Sequence, residues 1–177
     1  MMKYDQENEM IRNVDLFISL MVCFPEVGKI RYDRDRDLLR ISFLLHTVDG
    51  PAVFHEKIET IGKAVGAYHR LKNTKNYLYD LNCRDVRGYR VMEVCRDLAT
   101  ASRSELAFIV DLFRQHFDGM LLAERTDSLY EDDYHWYFEE GRQPSLNEGQ
   151  FQVDTEHFGN EILVYRDAGK VLVFSNG

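Results

Sequence analysis

Two extended apolar segments followed by an amphipathic helix occur twice in this chain, over residues 27–72 and again over 77–117. This cadence is the strongest constraint on the fold. Neither a lone hairpin nor a lone amphipathic helix can bury its apolar side, so the repeat predicts a sheet with helices laid on it. Val27 to Asp33 reads as a strand and Arg34-Asp35-Arg36 as a polar turn. From Asp37 to His46, Leu39, Ile41, Phe43 and Leu45 share one face, while Arg40, Ser42 and His46 take the other. That is the period of a half-buried strand, and two such strands with a short polar link make a hairpin. Asp49-Gly50-Pro51 then breaks the chain, and a helix over about 54–72 is expected to bury Ile58, Ile61, Val65 and Tyr68.

The second copy is less regular. Tyr77, Tyr79 and Leu81 alternate, Cys83 to Gly88 reads as a link, and 89–98 reads as a strand covered on both faces. Ser102 and Glu105 form an S-x-x-E capping box, followed by Leu106, Ile109, Phe113 and Phe117 at helical spacing. Gly119 ends that helix, and Met120 to Ala123 is a short strand candidate. Before the first copy, apolar residues from Met10 to Met21 predict a helix over 8–24 that Pro25 stops. After the second, 127–140 is acidic and aromatic with helical spacing, and 141–158 is loop-like. Glu161 to Phe174 is a further hairpin turning on Asp167-Ala168-Gly169-Lys170. The expected class is α+β: an antiparallel sheet of repeated strand-strand-helix units with helices packed on it, plus a C-terminal hairpin extension. The division expected is an α+β core at 1–125 and an acidic extension at 126–177. Few residues match between the two copies, so chance recurrence of the pattern competes with duplication.

Charge bounds the activity. The 177 residues carry 22 basic and 30 acidic side chains, a net charge of −8. That disfavours general binding to nucleic acid, which needs cations to displace counterions from phosphates. The sum is −3 over residues 1–60, +3 over 61–118 and −8 over 119–177, so the excess sits in the last third. The longest apolar run, Leu16 to Phe24, is nine residues, too short to span a bilayer. Acidic residues precede it, the wrong flank for a signal peptide. Three cysteines without a CxxC pair point to reduced thiols and a cytoplasmic setting.

Motifs for chemistry are scarce. No two of the six histidines stand at H-x-x-x-H spacing, and no Walker loop, G-x-S-x-G or G-x-G-x-x-G is present. Asp132, Asp133 and His135, with Glu139, form the best metal candidate, although a solvated acidic helix explains them too. Cys83 is the expected exposed thiol, with Arg84 and Arg87 near enough in sequence to lower its pKa. Gly62 and Gly66, four apart on the first core helix, suit tight local packing or the close approach of a partner backbone. No catalytic, cofactor-binding or metal-binding residue is assigned, and no cofactor is expected.

Two stretches concern partners. Tyr130, Tyr134, Trp136, Tyr137 and Phe138, rimmed by Asp132, Asp133 and Glu140, are the candidate partner-binding residues, because aromatic side chains bury much area with few rotors. The plainer reading packs them on the core. Arg70 to Arg103 carries eight cations against four carboxylates, with tyrosines between. In isolation this suits nucleic acid. In an acidic chain, charge pairing within the molecule or between subunits is favoured.

The hairpin GKIRYDRDRDLLRISFLL at 28–45 and the stretch GYRVMEVCRDLATASRSELAFIVDLF at 88–113 follow the order of helix, hairpin, helix, strand pair and helix. In that order the chain resembles the secretion-chaperone-like fold, including the YbjN-type sensory regulators, over about residues 8–125. The resemblance carries no catalytic residue and implies a small acidic homodimer that binds protein partners. The leading expectation is thus a non-catalytic, cytosolic, regulatory or chaperone-like adaptor that binds protein and is homodimeric. One alternative is an enzyme, or a domain for a metal or small ligand, whose site assembles from distant residues. Another is an acidic inhibitor that mimics nucleic acid.

Overall fold

Alternation of apolar and polar residues builds the centre of the molecule. In the computed structural model, which describes residues 17–46, 49–124 and 161–176, the first hairpin is β1 (Val27–Asp33) and β2 (Leu38–His46). Leu39, Ile41, Phe43 and Leu45 of β2 are all buried on one face. The remaining elements are α1 at residues 17–23, α2 (Pro51–Lys72), β3 (Tyr79–Val86), β4 (Tyr89–Asp97), α3 (Arg103–His116), β5 (Glu161–Asp167) and β6 (Lys170–Asn176). The six strands form one antiparallel sheet in the order β3-β4-β2-β1-β5-β6. The fold is α+β, with the C-terminal hairpin β5–β6 added beside β1.

The repeat is visible in three dimensions. β1 starts at Val27 and β3 at Tyr79, 52 positions apart; α2 starts at Pro51 and α3 at Arg103, again 52 apart. β2 and β4, the second strands of the two units, pair antiparallel at the centre, with Ser42 opposite Glu93. The strand-strand-helix units are thus related by an approximate two-fold axis through the middle of the sheet.

The helices pack on one face. Phe43 of β2 stacks on Phe113 of α3 at 4.3 Å between ring centres, and Phe17 of α1 lies 6.1 Å from Tyr32 of β1. Ile61 and Val65 of α2 complete the core with Ile109, Phe117, Met92 and Val94. The opposite face carries Arg40, Ser42 and Leu44 of β2, and Glu93 and Cys95 of β4. Among the described residues no helix covers it. Of the strand expected over 89–98 to be covered on both sides, Cys95 is buried on this face, opposite Arg40 and close to the buried Ser42, while Val91 and Glu93 are half-buried.

Several boundaries differ from the sequence expectation for physical reasons. α2 starts at Pro51, three residues early, because Gly50 serves as the N-cap and proline at the first helical position loses only an amide that has no helical partner. β3 continues through Val86, so the expected link at 83–88 shrinks to Arg87 and Gly88. Both have positive φ, 49° and 86°, the geometry of a tight two-residue hairpin turn. Ala168 and Gly169 repeat it between β5 and β6 with φ of 48° and 75°. Met120 to Ala123 contributes a single bridge, Leu45 to Leu121. α2 buries Ile61, Val65 and His69, so its inward face is rotated from the one expected, and Tyr68 is half-buried. The segments read as helix at 8–16 and 127–140 and as loop at 141–158 lie outside the described residues.

Gly62 and Gly66 are in ordinary helix. A Cβ at Gly62 meets nothing within 4 Å, and one at Gly66 meets only Arg70 Nη1 at 3.6 Å. Among the described residues no backbone uses the space they leave. Gly62→Ala should therefore stabilise the fold by about 0.5–1 kcal/mol, and raise Tm by roughly 2–4 °C at most. A fall in Tm on thermal melting would mean that something packs closely on this helix face.

Candidate functional site

Ionisable side chains from three elements meet inside the molecule. Arg96 from β4, Glu105 from α3 and His69 from α2 are 0, 1 and 1% exposed. Each stands on an inward position of its element. Arg96 follows Met92 and Val94 on the core face of β4, His69 follows Ile61 and Val65 at four-residue steps, and Glu105 precedes Leu106 and Ile109.

The Arg96 guanidinium donates twice to Glu105, from Nε to Oε1 at 2.5 Å and from Nη2 to Oε2 at 3.1 Å. It also donates to Asp97 Oδ1 at 2.6 Å, to Thr100 Oγ1 at 3.1 Å and to the Leu78 carbonyl. One planar fork thus ties β4, α3 and the entry to β3 together, and its fixed geometry suits carboxylates. The capping box is half formed. Ser102 Oγ accepts from the Glu105 N–H at 3.1 Å, while the Glu105 side chain turns inward to Arg96 instead of back to the cap.

His69 completes the cluster. Its Nε2 lies 3.0 Å from Glu105 Oε1. A carboxylate held by arginine can only accept, so Nε2–H donates, and the proton of the neutral ring sits there. The ring stacks on Tyr77 at 3.6 Å and meets Tyr68 edge-on. His69 Nδ1 and Tyr79 Oη are buried without a hydrogen-bond partner among the described residues. Burial lowers the His69 pKa, outweighing the pull of the Glu105 charge; Arg96 adds to the lowering. Burial pushes the Tyr79 phenol up to about 12, helped by Asp80 and Glu105. Asp97 runs the other way: although burial raises it, hydrogen bonds from Thr100 and the Leu78 amide, with the Arg96 charge, hold its carboxyl below the usual range.

A neutral imidazole joined to a carboxylate is a general-base arrangement. Here it is buried against Tyr77 and Tyr68 and joins α2 to α3. At the far end of α2, a cavity of about 10 Å³ is lined by His46, Asp49, Phe54, Arg90 and Phe117, among others. That is the room of about one water molecule.

The residues singled out in the sequence fall as follows. Tyr130, Tyr134, Trp136, Tyr137 and Phe138, together with Asp132, Asp133, His135 and Glu139, lie outside the described residues. Cys83 is exposed, as expected. Its thiol is nevertheless pushed up: desolvation dominates, and the cation that opposes it is Arg90, two strand positions across, not Arg84 or Arg87. Among the described residues no group of three or more His, Cys, Asp and Glu side chains is placed to hold a metal ion. The basic stretch does not form one surface. Arg96 is internal, and Arg90 pairs with Asp85 at 2.7 Å while lying 4.0 Å over the Phe54 ring. Their carboxylate partners come from the same stretch and from α3. His69 and Arg96 carried no motif and Glu105 only that of a helix cap, but each continues the apolar period of its element.

Two measurements test the cluster. Glu105→Ala removes the main countercharge of a buried arginine and should lower stability by about 3 kcal/mol or more. The double variant Arg96→Met with Glu105→Leu should recover most of that loss in urea melts. Because His69 is held neutral, the unfolded chain takes up its proton first. Stability from this group is whole above the ordinary histidine value of 6.5 and is lost as pH falls through the lowered folded value. His69→Gln should flatten that acid-side decline in Tm; an unchanged slope would assign it to other groups.

No helix among the described residues is long and apolar enough to cross a membrane. No protein-family model, curated protein or solved structure matches the chain.

Proposed function

We propose that this chain is a non-catalytic, cytoplasmic, homodimeric protein that binds another protein as a regulatory or chaperone-like adaptor. The observation that carries the reading is the character of the helix-free sheet face. Leu44, Val86, Tyr89 and Phe174 all lie on it by strand register, and all are exposed. They account for four of the seven exposed large hydrophobic side chains among the described residues. Arg40, Glu93, Arg31 and Glu161 stand between them, joined as ion pairs across strands. Apolar groups set among charges on a sheet face that no described helix covers suit recognition of a protein surface.

The chemistry of the ionisable groups points the same way. The best acid–base arrangement, His69 with Glu105, is engaged in holding helices to sheet. The acidic balance and the resemblance to the secretion-chaperone-like and YbjN-type sensory regulator fold agree with a protein partner. The aromatic residues Tyr130, Tyr134, Trp136, Tyr137 and Phe138 are proposed as a second part of the binding surface.

Affinity capture with the full chain, followed by mass spectrometry, tests the reading. One protein, or a small set, should be retained stoichiometrically, and Tyr134→Ala with Trp136→Ala should reduce retention at least tenfold while Tm changes little. Retention of nothing, or a loss of Tm with no loss of retention, would overturn the role given to these side chains.

A further inference from the structure

Among the described residues the sheet has two unpaired edges of opposite character. β3 (YDLNCRDV) places Asp80, Arg84 and Asp85 along one edge. Charged residues on an edge strand oppose pairing with another chain. β6 (KVLVFSN) has one charge, Lys170, at its start, followed by Val171, Leu172, Val173 and Phe174. It has no proline and the composition of a strand that pairs.

The hairpin fixes which β6 backbone groups are free. In a two-residue turn the flanking residues, here Asp167 and Lys170, form a hydrogen-bonded pair, and alternate positions follow. Lys170, Leu172 and Phe174 therefore bond to β5. Val171, Val173 and Ser175 direct their N–H and C=O groups outward.

We infer that β6 is the seam of a homodimer, two copies pairing antiparallel about a two-fold axis at Val173 to give a continuous twelve-stranded sheet. This deepens the homodimer reading above by naming its surface. The register follows from the free groups. With Val173 opposite its own copy, Val171 meets the second copy's Ser175 at both ends. Every outward N–H and C=O from 171, 173 and 175 is then bonded, six hydrogen bonds in all by the antiparallel pattern. Lys170 falls opposite position 176, not opposite another Lys170, so no like charges meet. An axis normal to the sheet keeps equivalent faces on one side. Leu172 of one copy then adjoins Phe174 of the other on the helix-free face.

That face is already apolar beside the seam. Phe174 is 51% exposed and stacks on Tyr165 at 5.4 Å, with Leu163 and Leu172 as strand neighbours. The pairing joins two such patches into one. An edge ladder alone is small against the area of a stable interface, and contact of Leu172 with the second copy's Phe174 at both ends adds apolar burial to it. The hairpin is anchored for the purpose: Arg166 donates to the Met21 carbonyl, and the Gly169 N–H donates to Glu124 Oε1 at 2.8 Å.

Light scattering on the size-exclusion peak of the full chain is the test. The expected mass is twice the 20.9 kDa of the chain. Val173→Pro removes an outward N–H and leaves the β5 ladder intact, so it should give the chain mass with an unchanged circular dichroism spectrum. Phe174→Lys, at an exposed position, should do the same if the proline variant does not fold. Leu172→Cys with Phe174→Cys brings thiols to non-hydrogen-bonded positions about 4.5 Å apart between Cα atoms, within disulfide reach, and should yield a covalent dimer on mild oxidation. A dimer that survives both Val173→Pro and Phe174→Lys would sink the β6 seam and leave the homodimer reading standing. A wild-type monomer would sink both. In that case, slow amide exchange at Val171, Val173 and Ser175 would show that the chain itself covers the edge. Partner capture by the monomeric Val173→Pro variant, whose changed position is not on the helix-free face, separates the adaptor role from dimerisation.

Discussion

The buried pairing of Arg96 with Glu105 holds this architecture in register. An arginine in a core is tolerable only when its charge is matched and its donors are occupied. Here the carboxylate comes from α3, and further acceptors come from Asp97, Thr100 and the Leu78 carbonyl. Sliding α3 along the sheet by a turn would strip the guanidinium of its main partner. Apolar packing of Phe43 on Phe113 tolerates such a slide far better, because dispersion has little directionality. The ion pair thus contributes specificity of position more than net stability. His69 extends that specificity to α2, and its neutral state gives the arrangement an acid-sensitive component.

Much of the architecture was legible where side chains alternate between buried and exposed. β1 ends where its pattern ends, and β2 differs by one residue. The C-terminal hairpin was legible from its turn. The reading failed where local chemistry has two meanings. Gly50-Pro51 reads as a break in the abstract, yet a proline with no amide to lose is an ordinary helix start. The second half of β3 has no apolar rhythm because most of it is exposed at the sheet edge. Its strand character comes from β4, which local sequence does not encode. Glu105 was legible as the partner of Ser102 in a capping box, but tertiary electrostatics took its side chain. His69 was discoverable from its four-residue step after Val65; a histidine at such a position is easily passed over because its period is apolar and its chemistry is not.

The central approximate symmetry gives the sheet two unlike faces. Both units turn their helices to the same side, so that side receives the helical cover that the described residues provide. The other carries polar side chains, among them Glu93, which accepts from Ser42, and Asn82, which donates to Cys95. The β5–β6 hairpin breaks the symmetry by extending the sheet only past β1. One edge ends in the charged β3, the other in the apolar β6. The two binding surfaces proposed here, the helix-free face and the β6 edge, meet at Phe174.

The pairing of β1 with β5 joins Ile30 to Val164, 134 positions later in the chain. During synthesis at the ribosome, the first hairpin emerges long before its neighbour exists. β1 therefore waits as an open template with Ile30 and Tyr32 on its apolar side, and closure depends on a contact of high sequence separation. For the nascent polypeptide, the hazard of mispairing lasts until residues 161–167 have emerged to take their place beside β1.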